Sequence, residues 1–262
     1  MKPSLVLYCH CTSANLAPAD TRRRVVEALA ESGAAIEMVA DLCELAARKD
    51  PILRRVAAAG SVHIYACYPR AVRWLFAAAG APLAAGATIH NMRTQSADVI
   101  LSHFAPGDHT VFSHLAPGEY TGGKIPRPAT PGRSPAHAFP ARKPGEWIPW
   151  FPVLDYDRCK NCRQCLQFCL FGVYAQDAEG KVRVVHPDRC KTGCPACARL
   201  CPEAAIIFPK YSEAPIAGDD RLPAKAGAAP PIDFSSLAGL DLKEAMRRRE
   251  AILRAHRKGD HE

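Results

Sequence analysis

The sequence predicts an α/β amino-terminal domain with a parallel sheet of about four strands, then a small α+β module rich in cysteine, then a basic helical tail. Three observations carry this. Over residues 1–104, short apolar runs alternate with amphipathic runs of helical period. Eight of the 12 cysteines crowd into residues 159–201. Between those regions prolines cluster, as they do again after residue 209, so the chain divides into 1–104, a linker over 105–149, a module over 150–212, and a linker with a carboxyl-terminal helix over 213–262.

The elements follow in order. "SLVLYC" reads as a strand, and "TRRRVVEALAESG" as a helix with Gly33 as its stop. "AIEMVADL" reads as a second strand. "DPILRRVAAAG" has Asp50 as N-cap, Pro51 at the first helical position and Gly60 past the end. "SVHIYAC" is a β-branched strand, "PRAVRWLFAAAG" a helix ending at Gly80, and "ATIHNM" a fourth strand. Strands separated by helices pair in parallel through crossovers. In the tail, "DLKEAMRRREAILRAHRKGD" has Asp241 and Glu244 at capping-box spacing, and Leu242, Met246 and Leu253 on one stripe.

Composition narrows the function classes. At 48% hydrophobic the 262 residues suit one or two globular domains. No stretch reads as a signal peptide, and the longest weakly polar segment, "VRWLFAAAGAPLAAGATI", holds Arg73 and Pro82, so neither export nor a membrane span is expected. That points to the cytoplasm, where thiols stay reduced and cysteines serve as metal ligands more than as disulfides. The net charge of +8 is dispersed; it suits an acidic partner protein, and no nucleic-acid motif accompanies it.

Residues 159–169, "CKNCRQCLQFC", form a C-x2-C-x2-C-x3-C run, and residues 190–202, "CKTGCPACARLCP", a C-x3-C-x2-C-x3-C-P run. Three thiolates on a tight loop reach three irons of one cubane, while the fourth cysteine, read here as the start of the following helix, points to the other cubane. This pairs Cys159, Cys162, Cys165 and Cys201 on one 4Fe-4S cluster, and Cys190, Cys194, Cys197 and Cys169 on the other. The region resembles the bacterial two-cluster ferredoxins, which makes the small module ferredoxin-like. It departs from them in the extra residue among Lys191, Thr192 and Gly193, and in Leu170 where proline is usual. Zinc, which favours paired C-x2-C knuckles, suits four cysteines in one short run poorly. The intervening "YAQDAEGKVRVVHPDR" reads as a hairpin turning near Glu179 and Gly180.

Four cysteines remain. Cys9 ends the first strand, Cys11 follows it, Cys43 comes directly after the second strand, and Cys67 ends the third. All four fall at the carboxyl edge of a parallel sheet, where ligands bind and helix N-termini favour anions. They complete a third set of four. Buried core thiols, or a single zinc site, remain alternatives on spacing alone. "YCHC", the lone cysteine, "YACYPRAVRWLF" and "NMRTQ" resemble the amino-terminal domain of the heterodisulfide reductase A subunit over about residues 4–100, with Thr12 in place of a glycine. That resemblance implies a third 4Fe-4S cluster on Cys9, Cys11, Cys43 and Cys67.

No G-x-G-x-x-G, P-loop or G-x-S-x-G occurs, so no FAD and no NAD are expected on this chain. The expected function is a non-catalytic electron-transfer subunit with three 4Fe-4S clusters. Its partner would be a catalytic oxidoreductase subunit, flavin- or tungsten-dependent, in a hetero-oligomeric, anaerobic redox complex. The alternative is an iron-sulfur enzyme subunit acting on a thiol or disulfide at the amino-terminal cluster; four cysteine ligands would leave no iron open for that chemistry. Around the sites, His10 reads as a solvent-facing loop residue, His63 as hydrogen-bonded and structural, and Tyr8, Phe168 and Phe171 as a hydrophobic shell. Lys160, Arg163, Lys191 and Arg199 read as solvated surface.

Overall fold

A computed structural model describes residues 5–32, 36–103 and 145–221. Most of the linker and the carboxyl-terminal helix expected from the sequence, like the stop at Gly33, lie outside the described residues. The described residues fall within one compact unit.

The amino-terminal half holds a four-stranded sheet of order β2-β1-β3-β4, with β1 (Leu5–Cys9), β2 (Ile36–Val39), β3 (Val62–Ala66) and β4 (Thr88–Asn91). All three pairings are parallel, and the register sets Tyr8 beside Met38 on one side and Tyr65 on the other. Side chains alternate across the sheet. Leu5, Leu7 and Cys9 face one core with Leu42, Leu53, Val72 and Leu75, whereas Val6 and Tyr8 face a second core with Val25, Leu29 and Ile100. The first face is therefore covered by α2 (Leu42–Arg48), α3 (Pro51–Ala57) and α4 (Pro69–Ala78), the second by α1 (Ala19–Glu31) and α5 (Ala97–Ser102). Burial on both faces explains why β1 reads as an unbroken apolar run. Because β2 and β3 flank β1 on opposite sides, the chain reverses direction between β1 and β3, and their carboxyl ends form the switch point of the sheet.

Two helices depart from the sequence reading. The second strand stops at Val39, and Asp41, extended at φ −156°, caps α2 by accepting from the N–H groups of Cys43 and Glu44. Cys43 thus sits in the first helical turn and not directly after the strand. The short helix α5 begins at Ser96, whose side chain accepts from Val99 N.

The second half carries two small antiparallel ladders, β5 (Val153–Leu154) with β8 (Ile206–Ile207), and β6 (Tyr174–Gln176) with β7 (Val182–Val184). The latter is the expected hairpin, turning through Gly180 at φ +74°. Helices α6 (Gln164–Phe168) and α7 (Ala196–Leu200) repeat one another: each opens just before the third cysteine of its run and ends at the fourth. Cys169 and Cys201 are C-caps with nearly equal dihedrals, −73°/109° and −72°/114°. The sequence reading put the fourth cysteine at a helix start; it ends one instead, in extended backbone that carries the chain off the helix. The extra residue of the second run is absorbed by a turn, in which Cys194 N donates to Lys191 O at 3.0 Å and Gly193 takes φ +79°.

The two halves share a core. Phe151, Val153, Ile207 and Ala217 belong to the same buried cluster as β1, β3 and α4. The Arg70 guanidinium of α4, 4% exposed, pairs with Asp155 at 2.5 Å and donates to Ala204 O at 2.6 Å. Among the described residues no helix is long and apolar enough to cross a membrane.

Candidate metal centres

At the carboxyl edge of the sheet, one cavity is lined by Cys9, Cys11, Cys43 and Cys67, together with His10, Asp41, Arg93 and Lys210. The fold brings these cysteines from three places: Cys9 at the end of β1 with Cys11 just after it, Cys43 on α2, and Cys67 after β3. Cys11 takes the left-handed conformation at φ +57°, and the amides of His10 and Thr12 bond back to Val39 O and Ala40 O. That curl turns both cysteines of the C-x-C pair over the sheet edge. Leu42 N donates to Cys9 Sγ at 3.3 Å, a contact that favours a thiolate. His10, expected in solvent, is half-buried on the cavity wall.

Asp41 ties the wall together. Its Oδ1 accepts from Cys43 N at 3.0 Å and Glu44 N at 3.3 Å, and its Oδ2 accepts from Ser13 Oγ and, at 2.6 Å, from Lys210 Nζ. Lys210 follows the last strand of the second half, so that half supplies part of the amino-terminal site. For Lys210 burial alone would lower the pKa, but the attraction of Cys43, Asp41 and Cys11 outweighs it and holds the ammonium charged. Arg93 reaches from the β4 edge to the carbonyls of Pro209, Tyr211 and Ser212 at 3.3, 2.9 and 3.2 Å.

These thiols are costly to ionise alone. Burial, then repulsion from Cys11, Asp41 and Cys67, pushes Cys9 up; burial raises Cys43; burial, then Cys11, pushes Cys67 up to about 11. Thiols that burial keeps protonated are a donor set that a cationic iron core relieves, since the metal drives deprotonation. Among the described residues no three His, Cys, Asp or Glu side chains converge tightly enough for a single ion. A cubane instead asks for thiols spread around a space, each reaching its own iron. The residues fit that group.

In the second half, the cysteines of the two runs act on one another across the runs as well as within them. Burial pushes Cys165 up to about 12, with Cys197, Cys201 and Cys159 adding to it, and Cys201 is raised by burial with Cys162 and Cys159 as neighbours. Burial pushes Cys190 up to about 12, with Cys197, Cys194 and Cys169 adding, while Cys197 rises to about 11. Cys201 is thus near the first run and Cys169 near the second. Ala205 N donates to Cys201 Sγ at 3.4 Å, and Tyr174 OH to Cys197 Sγ at 3.1 Å. Asn161, at φ +56°, clamps the first loop to the hairpin: its Nδ2 donates to Gly180 O and its Oδ1 accepts from Val182 N. Phe168 and Phe171, expected as a buried shell, are 40% and 41% exposed beside Leu170 at 59%, whereas Tyr8 is fully buried.

Residues 151–211 match the family described as the 4Fe-4S dicluster domain. Through this segment the chain belongs to the dicluster ferredoxins. The ferredoxin segment is 55% identical over 64 residues to an uncharacterized ferredoxin of Methanocaldococcus jannaschii, a match covering 24% of this chain and 42% of that protein's length. It is 38% identical over 64 residues to the pyruvate synthase subunit PorD of the same organism, and 33% identical over 85 residues to PorD of Thermotoga maritima, matches covering 72% and 76% of those proteins and 24% and 32% of this chain. No solved structure matches. At least two 4Fe-4S clusters and an electron-transfer role follow from the ferredoxin segment.

Sequence reasoning missed Asp41, Lys210, Arg70 and Asn161. Only Asp41 carried a local signal, an Asp preceding the helix-forming "LCELAAR". The other three act across distances that no local pattern encodes.

Proposed function

We propose that the chain is an electron-transfer subunit carrying three 4Fe-4S clusters, and that it relays electrons to or from a catalytic oxidoreductase partner. Cys159, Cys162, Cys165 and Cys201 hold one cluster; Cys190, Cys194, Cys197 and Cys169 hold the second, with crossed fourth ligands. Cys9, Cys11, Cys43 and Cys67 hold the third, on an α/β domain similar to that of the heterodisulfide reductase A subunit. The observation that carries the third cluster is the single cavity around which those four thiols stand, walled by the ferredoxin segment's own Lys210. When bound, the clusters supply one-electron carriers. The protein's part is to hold them, bury the amino-terminal one among Leu42, Ala66 and Met92, and direct Leu42 N, Ala205 N and Tyr174 OH at cysteine sulfurs. Relatives named as pyruvate synthase subunits support a multi-subunit redox complex as the setting.

Anaerobically prepared protein is expected to hold about twelve iron and about twelve acid-labile sulfide per chain, four of each per cubane. Cys67→Ala is expected to remove one cluster and Cys169→Ala to disturb the one shared with Cys190, Cys194 and Cys197. About eight iron in the wild type, or stoichiometric zinc, would overturn the third cluster.

A further inference from the structure

We infer that the buried charge of Lys210 raises the reduction potential of the amino-terminal four-cysteine site, so that docking of the ferredoxin segment tunes a site on the other half of the protein. The inference rests on the three-cluster reading above.

Lys210 is held out of water, its side chain 3% exposed and that of its partner Asp41 1% exposed. Burying an ammonium costs several kcal/mol unless it is well compensated. Its three N–H donors meet one carboxylate oxygen of Asp41 at 2.6 Å, while the residue lines the cavity that Cys9, Cys11, Cys43 and Cys67 surround. Asp41 does not need Lys210 for satisfaction alone, because Ser13 Oγ and two backbone N–H groups already donate to it. The second cation of that wall, Arg93, also acts on Cys67 but is only half-buried. Its guanidinium lies 4.8 Å from the Tyr68 ring centroid and donates to the carbonyls of Pro209, Tyr211 and Ser212. Arg93 therefore acts as a positioning residue that fixes the strand of chain bearing Lys210.

The sign follows from charge. One-electron reduction adds a negative charge to a cluster already bearing four thiolates. A cation in a dry wall, where the effective dielectric is low, favours the reduced state and raises the potential. The basic residues beside the ferredoxin cysteines, Lys160, Arg163, Lys191 and Arg199, are all exposed, so water screens them.

The test is a redox titration of the full chain followed by paramagnetic resonance, with the amino-terminal signal assigned as the one Cys67→Ala removes. Lys210→Met is expected to lower that signal's midpoint by at least a tenfold change in the one-electron equilibrium, about 59 mV. Asp41→Asn, which still caps α2, is expected to raise it, and Lys210→Arg to hold it near the wild type. The two ferredoxin signals should stay in place. An unmoved amino-terminal midpoint in both neutralised variants, or equal movement of all three signals, overturns the inference and leaves the three-cluster reading standing. If Cys67→Ala removes no signal and iron counts give eight, the reading itself fails and the inference with it. Should Lys210→Met lose iron altogether, Lys210→Gln decides: a lowered amino-terminal midpoint supports the inference and an unmoved one overturns it.

Discussion

A hydroxyl on a sulfur and a ring on a ring show how single residues bias this molecule. Tyr174 OH donates to Cys197 Sγ at 3.1 Å, from a phenol that burial keeps protonated. Hydrogen bonds to cluster sulfurs stabilise the more negative, reduced state. Tyr174→Phe, which keeps the ring in the core, should lower the midpoint of the cluster assigned to Cys190, Cys194, Cys197 and Cys169 by about 0.5–1.5 kcal/mol of electron affinity. Titration by paramagnetic resonance reads this directly, and movement of the other ferredoxin cluster alone would contradict it. On the far side of the sheet, His90 stacks on Tyr65 at 4.4 Å and meets His63 at 3.1 Å between ring nitrogens. Burial, with repulsion from His63 and His103, pushes its pKa down to about 4 from 6.5. The unfolded chain thus binds the proton more readily than the folded one between those values. Stability is fully present above pH 6.5 and is lost as pH falls toward 4. Denaturation midpoints across that window should slope in the wild type and flatten in His90→Phe; parallel slopes would rule His90 out as the cause.

Elements were legible where a local rule governed them. The strands, α1, α3 and α4 follow from apolar period and from caps such as Asp50 and Pro51, which the structure retains at the start of α3. The hairpin of β6 and β7 follows from alternation and Gly180. Helix α2 was hidden because "MVADL" continues an apolar run into the cap, and only the Asp41 side chain, by accepting two amides, separates strand from helix. The cysteine spacing made the ferredoxin segment plain, and the sheet-edge positions of Cys9, Cys11 and Cys67 were readable from β1 and β3. The wall opposite them was not, since Lys210 lies 169 residues from Asp41 in sequence. A comparable long-range fit shapes the segment after β8. Gly218, at φ +103°, passes so close to α4 that an added Cβ would lie 2.6 Å from Ala71 Cβ and 3.1 Å from Ala71 N. Gly218→Ala should therefore destabilise the chain by about 1–3 kcal/mol, through overpacking and a backbone conformation that side chains disfavour. Urea unfolding of the purified protein measures it; a loss under a few tenths of a kcal/mol would show that this strand of chain does not bear on α4 in solution.

At the scale of the whole molecule, two cysteine-bearing halves with separate sequence signatures are joined as one folding unit. Although the second half has a core of its own, α4 presents Arg70, Ala71 and Trp74 to it, and it returns Phe151, Val153, Ile207 and Ala217 to the core of the first. Buried ion pairs reinforce this apolar seam at two points, Arg70 with Asp155 and Lys210 with Asp41. Buried pairs of this kind add little over an apolar contact, yet losing one partner strands the other charge. Arg70→Ala leaves the Asp155 carboxylate, 3% exposed, with Arg158 at 3.6 Å and two backbone N–H groups, and takes a donor from Ala204 O. The expected cost is about 1.5–3 kcal/mol, that of a lost hydrogen bond to a charged group, and it should fall on both halves together. Far-ultraviolet circular dichroism reports mainly the helices of the first half, and cluster absorbance reports the second. In the wild type the two should change at one denaturant concentration, and in Arg70→Ala both should move down in step. Should the cluster absorbance hold while the helical signal shifts, the halves unfold independently. The seam would then be a contact surface between two domains, and a charge at position 210 would have no fixed place from which to act on the amino-terminal site.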